Sequence, residues 1–243
     1  MKEYATSRGV SEKRAEREAN LSSAAVLLAA LLLPVGMGLA HPPAIQAMAV
    51  GAAAWALALL LKMLVNGTGP IARATRRGMP GAALAGVVSG ISEMGVLYLA
   101  AIAGVVTSSA ANGLWTGIGA SVAEIAYLIS VGMLKRAEPE ALKQQRIWLR
   151  GARSSRLVRH IFAVERLLAT VLHIACRVLV LATVASGSLV PLAMALGFFV
   201  IVDGTATYGV VRRWNWCRPR TARRFYAFLA AAAGAAAGAA FWL

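Results

Sequence analysis

The chain has 243 residues, of which 59% are hydrophobic and only 14% charged, with a mean hydropathy of +0.67 and a formal net charge of +15. A soluble domain cannot bury that much apolar surface, so the composition points to an all-α, polytopic membrane protein. The net charge alone would suggest a nucleic-acid partner, but the Lys and Arg outside the apolar runs fall in the N-terminal segment and in alternate loops, which is the positive-inside pattern.

Residues 1–20 mix both signs, with Lys2, Arg8, Lys13, Arg14 and Arg17 set against Glu3, Glu12, Glu16 and Glu18, and read as a cytoplasmic N-terminal segment. Residues 21–243 then read as one domain of seven transmembrane helices. The first span covers about Leu21–Leu39 and stops at His41-Pro42-Pro43, where proline breaks the helix. Gly38-Leu39-Ala40 looks like a signal-peptide cleavage site, but the preceding segment is too long and too acidic for a leader. The second span, about Ala44–Val65, carries Lys62 close enough to its inner end to snorkel. After Asn66-Gly67-Thr68-Gly69-Pro70 comes a basic loop with Arg73, Arg76 and Arg77. The third span, about Ala82–Val106, contains Glu93. The uncharged loop Thr107–Asn112 leads to the fourth, about Leu114–Leu134, which contains Glu124 and ends at Lys135-Arg136.

Residues 135–159 form the longest loop, and eight of them are Lys or Arg. Pro139 suits the first position of a helix, which would be either a basic helix on the inner leaflet or a solvated connector. The fifth span, about Leu157–Ala185, holds Glu165, Arg166, His173, Cys176 and Arg177. Ser186-Gly187-Ser188 turns the chain into the sixth, about Leu189–Val211, with Asp203. A loop with Arg212, Arg213, Arg218, Arg220, Arg223 and Arg224 follows, where Trp214 and Trp216 suit the headgroup level. The seventh span, about Phe225–Leu243, carries Gly234 and Gly238 as a small-xxx-small packing face and Trp242 as an outer anchor. Counting Lys62, 23 Lys and Arg lie on the inner side and none in the outer loops. This sets the N-terminus in the cytoplasm and the C-terminus outside, and the setting is a plasma membrane. With Cys176 in a span and Cys217 in a basic loop, no disulfide is expected.

Charged groups in hydrocarbon are costly and by default face a bundle interior. At ~1.5 Å per residue, Glu93, Glu124, His173 and Asp203 lie roughly 12–24 Å from the inner ends of four different spans. They are expected to face one cavity, with Arg166 near its inner end. Arg166, His173 and Arg177 share a helix face, beside which Ala169 leaves room; Glu165 points about a quarter turn away. Each residue also has a structural reading. Glu165-Arg166 would be an ion pair or would snorkel, and Arg177 would reach the outer interface. Glu93 and Glu124 would be neutral acids bonded between helices, and His173 a satisfied interhelical histidine. Ser92, Ser121 and Thr170 read as packing hydroxyls. The chemistry this set could support is activation of water by a carboxylate, directly or on one divalent metal ion. His173 is the single histidine at midplane depth, where zinc prefers more than one.

Glu165-Arg166-x-x-Ala169-x-x-x-His173-Ile174-Ala175 resembles the ERxxAxxxHIA signature of the YhfC family. These are intramembrane metalloproteases of the CAAX protease superfamily, related to PrsW, to type II CAAX prenyl proteases and to the Aph subunit of gamma-secretase. Gly90-Ile91-Ser92-Glu93 is similar to the family's GIFEE block, Gly117–Glu124 to its GIGHGxxEA block, and Phe199–Asp203 to its HxxxD block. The resemblance implies Glu93, Glu124 and His173 as catalytic residues, His173 and Glu124 as metal ligands, and Glu165, Arg166 and Asp203 in support. Where the family carries a second glutamate, an arginine and two histidines, this chain has Met94, Leu97, Ala120 and Phe199. The expectation is therefore a weakened or absent peptidase. Three functions compete: an intramembrane metallopeptidase; a non-catalytic scaffold or immunity-type protein binding a membrane protein or peptide; and a small proton-coupled transporter. Against the last stand an odd number of spans and the lack of an inverted repeat.

Overall fold

The computed structural model describes residues 11–40, 42–67, 73–74, 78–134 and 138–242, without the side chains at 12, 27, 30–31, 33–35, 37–40, 42 and 66. The expectations placed on residues 1–10, His41, Arg76, Arg77, Lys135 and Arg136 lie outside the described residues. Nine helices, and no strand, are described: α1 (Glu12–Ala40), α2 (Pro42–Gly67), α3 (Gly78–Ile102), α4 (Ala110–Leu134), α5 (Pro139–Ser154), α6 (Arg156–Arg159), α7 (Ile161–Ser186), α8 (Val190–Val211) and α9 (Pro219–Phe241). Six of them, α2, α3, α4, α7, α8 and α9, are long and apolar enough to cross a membrane. The described residues are those of an all-helical membrane protein. The expected span at 21–39 lies inside α1, which runs unbroken from Glu12 through the polar segment.

Local chemistry sets the helix ends. Pro139, Pro191 and Pro219 sit in first turns, where the missing N–H costs nothing. For this reason α9 starts six residues before the expected apolar span. Gly187, at φ 69°, closes α7, its N–H donating to the Thr183 carbonyl. At the end of α8 the left-handed position is filled by Arg213, at φ 53°; the Trp214 N–H donates to the Gly209 carbonyl and folds both tryptophans back onto the helix. Gly209 makes this possible, since a Cβ there would lie 2.5 Å from the Trp216 ring.

Helix α7 is the hub and packs on α3, α4, α8 and α9, while α2 lies against α3 and α4, and α3 against α8. Without a hydrophobic driving force between helices in lipid, close approach has to come from small residues. A Cβ on Gly51 of α2 would lie 2.0 Å from the Thr116 carbonyl oxygen, and one on Gly119 of α4 would lie 2.0 Å from that of Met48. The two helices therefore meet backbone to backbone at a reciprocal pair of glycines. Gly113 and Gly117 bring the adjoining face of α4 equally close to Val178 and Ile174 of α7. The expected Gly234/Gly238 face behaves differently. Nothing lies within 4 Å of a Cβ at either position, because α9 turns its Ala222, Leu229, Ala233 and Ala236 face inward instead.

On the polar side, Arg159 donates to Glu18 (2.6 Å) and to the Ala152 carbonyl (3.2 Å), and the His160 Nδ1 lies 2.9 Å from the Ser22 hydroxyl. These bonds tie the start of α1 to the α5–α7 junction. The guanidinium of Arg14, and then that of Arg159, hold the Glu18 carboxyl below the usual glutamate range. Trp148 of α5 donates to the Val158 carbonyl (3.0 Å), so this face of α5 is seated on protein.

Candidate functional site

Glycine-mediated contact brings α2, α3, α4, α7 and α8 close enough for short polar side chains to meet between them. Lys62 Nζ donates to Glu93 Oε1 (2.8 Å) and to the Ser89 hydroxyl (3.5 Å), and Ser89 in turn donates to Asp203. The other Glu93 oxygen, Oε2, accepts from Arg177 Nη2 at 3.1 Å. Arg177 Nη1 lies 2.7 Å from His173 Nδ1, and His173 Nε2 lies 2.9 Å from Glu124 Oε2. That same Glu124 oxygen sits 3.0 Å from Arg166 Nη1, whose Nη2 reaches Glu165 Oε1 at 2.9 Å. Ser121 bonds Thr170, which donates back to the Arg166 carbonyl, so these two hydroxyls do serve packing.

The donor rules fix the histidine. A guanidinium has only protons to offer, so at 2.7 Å Arg177 must give one to the Nδ1 lone pair. The ring is then neutral, with its proton on Nε2 aimed at Glu124. Both ring nitrogens are engaged. Glu93 is 4% exposed and Arg177 1%, and both oxygens of Glu93 face cations. Glu124 leaves Oε1 without a partner among the described residues.

A cavity of about 180 Å³ lies under this network. Glu93, Glu124, His173 and Asp203 all line it, with Lys62, Glu165, Arg166 and Phe199. The four midplane groups thus share one cavity, and Arg166 is beside them. Two expectations need correction. Lys62 does not snorkel; it turns inward because Glu93 and Ser89 give its ammonium partners that lipid cannot. Arg177 does not reach the outer interface; it lies between His173 and Glu93. Both were discoverable, since several buried acids require cations within reach.

The positions where the resemblance implies further polar groups, a glutamate, an arginine and two histidines, are filled with apolar ones. Met94, Leu97 and Ala120 have no exposed surface, and Phe199 stacks edge-on against His173 with ring centroids 5.5 Å apart. Among the described residues, no group of three or more His, Cys, Asp or Glu side chains is arranged to hold a metal ion. Glu124 and His173 stand next to each other, but a cation between them would have to replace the bond they share and lie close to the Arg166 guanidinium. The donor set therefore does not fit a divalent metal. No family model, curated protein or solved structure matches the chain.

Proposed function

We propose that this chain is a seven-span protein of the plasma membrane, amino terminus inside and carboxyl terminus outside, built on a YhfC-like plan and acting as a non-catalytic scaffold. The seventh span in this reading is the 21–39 part of α1, and the orientation rests on the charge asymmetry of the loops. The observation that carries the functional reading is the engagement of His173. Hydrolysis requires a base, a polarising group and access for water. With Nδ1 taken by Arg177 and Nε2 donating to Glu124, His173 has no lone pair for a metal or a proton. Glu93 is held between Lys62 and Arg177, with a cation on each of its two oxygens. Such a network fixes the helices relative to one another and presents a preformed surface to a membrane protein or peptide partner.

One observation favours hydrolysis instead. Glu124, whose Oε1 has no partner among the described residues, lines a cavity with volume for several waters, as a general base would require. The deciding experiment is cleavage of a membrane-embedded peptide in proteoliposomes, with metal content measured on the same preparations, for wild type, Glu124→Gln and His173→Ala. The scaffold reading expects no stoichiometric metal and no cleavage in any of them. Stoichiometric metal and cleavage in wild type, both lost in the two folded variants, would establish the peptidase.

A further inference from the structure

We propose that the inner ends of α8 and α9 form a binding site for an anionic phospholipid. A pocket of about 460 Å³ lies there, within the range of small-ligand sites of roughly 300–1,000 Å³. Arg218, Arg220 and Arg224 line it, and all three are exposed. None is in an ion pair with an acid among the described residues, unlike Arg159, Arg166 and Arg177. Arg220 and Arg224 are one turn apart on α9 and so repel each other until an anion sits between them. A phosphodiester, like a carboxylate, presents paired oxygens that guanidinium forks match.

The rest of the site says that the anion carries a chain. The pocket's inner wall is aromatic, formed by Trp214, Phe225 and Phe228. Trp214 is held in place by Tyr208 and Trp216, with centroids 5.9 and 5.5 Å away. Thr205 is shared with a second, apolar groove of about 350 Å³ on the outer face of α3 and α8, bordered by Ala83, Val200, Ile201 and Tyr208. A basic headgroup pocket thus borders, at Thr205, an apolar groove lying along membrane-spanning helices. This is the layout a phospholipid needs: phosphate at the arginines and an acyl chain beside Ile201. Assigning the lipid to the inner leaflet rests on the proposed orientation.

The test is native mass spectrometry of the detergent-purified full chain titrated with phosphatidylglycerol, phosphatidylcholine or inorganic phosphate. Wild type should retain phosphatidylglycerol in preference to phosphatidylcholine. A basic residue near an anionic surface is worth about fivefold, so Arg220→Gln/Arg224→Gln should weaken phosphatidylglycerol about 20–30-fold. Arg146→Gln/Arg150→Gln, which removes the same charge from α5, should leave binding unchanged. Ile201→Trp, which fills the groove and spares the arginines, should also weaken it. Equal loss from both arginine pairs, no preference over phosphatidylcholine, or an Ile201→Trp variant that binds normally would overturn the proposal. So would competition by inorganic phosphate at concentrations matching the lipid, which would assign the pocket to free phosphate. Thiol labelling of Arg223→Cys from each side of sealed vesicles tests the orientation separately. If that residue is external while lipid binding persists, the topology fails and the site stands.

Discussion

Replacing Glu93 by Gln keeps the shape of the side chain and removes the one negative charge that faces both Lys62 and Arg177. The contacts are 2.8 and 3.1 Å long. At an effective dielectric of about 20, each attraction is on the order of 5 kcal/mol. Against that stands the several kcal/mol needed to strip water from each charge, which the neutral amide no longer requires for itself. The two cations are still buried, however, and the amide N–H₂ now points at one of them. Breaking a buried pair from one side costs about 3–5 kcal/mol, and that is the loss expected here. For a chain of this size, roughly 2–4 °C per kcal/mol translates this into a fall in melting temperature of roughly 6–20 °C. The assay is thermal unfolding in mild detergent, followed by circular dichroism. Glu93→Gln/Arg177→Met should recover part of the loss, because it removes the stranded guanidinium, leaving Lys62 free to turn towards water. A coupling of about 0.5–3 kcal/mol in that double-mutant cycle is the expected sign of direct interaction. A Glu93→Gln protein that melts with wild type, or a double variant whose losses simply add, would refute the claim that this network holds the bundle together.

Gly51→Ala and Gly119→Ala should each destabilise the fold in the same assay by about 1–3 kcal/mol, because a methyl group cannot occupy space 2.0 Å from a backbone oxygen; Gly234→Ala, with open space around it, should be neutral or slightly stabilising. The α1 tether should respond to acid: the lowered carboxyl of Glu18 gives a contribution that is complete above the ordinary glutamate range and lost as pH falls through the lowered value. Protection factors of the amides at Ser155–His160, corrected for the intrinsic exchange rate at each pH, should therefore fall in acid for wild type and already be low at neutral pH in Glu18→Gln. Cysteine-accessibility labelling in sealed vesicles should find position 146 cytoplasmic and position 108 extracytoplasmic; position 108 labelled from the cytoplasm would overturn the orientation.

The apolar helices were legible in the sequence because hydrophobic length and loop charge are local properties. The grouping of Glu93, Glu124, His173 and Asp203 was legible too, since the cost of exposing them to lipid leaves an interior as their place. Who pairs with whom was not. Lys62 has an obvious local escape to the inner surface, and only the spatial neighbourhood of Glu93 and Ser89 outweighs it. Arg177 shares a face with His173 in any helix, but its reach to Glu93 depends on the separation of α3 and α7. Gly117 and Gly119 of α4 were read as part of a block around Glu124. In the fold they act through backbone contact, and the alanine-rich face of α9, which carried the stronger small-residue pattern, turned out not to use its glycines.

The arrangement of the ion pairs along the chain has a consequence for synthesis. A single charge at the centre of a spanning helix costs about 2.5–3.5 kcal/mol on entry into the bilayer. Lys62 and Glu93 lie 31 residues apart on consecutive helices, so α2 and α3 can enter as a neutralised hairpin soon after they emerge. Among the described residues, Glu124 has no hydrogen-bonded cation on an earlier helix. Its partner His173 lies 49 residues further on, beyond the basic segment 135–159 that contains α5 and α6, and until α7 emerges α4 carries an acid without its hydrogen-bond partner. The order of translation therefore leaves α4 as the last of the early helices to settle. A nascent chain halted before α7 is one that membrane quality control should recognise by that single glutamate.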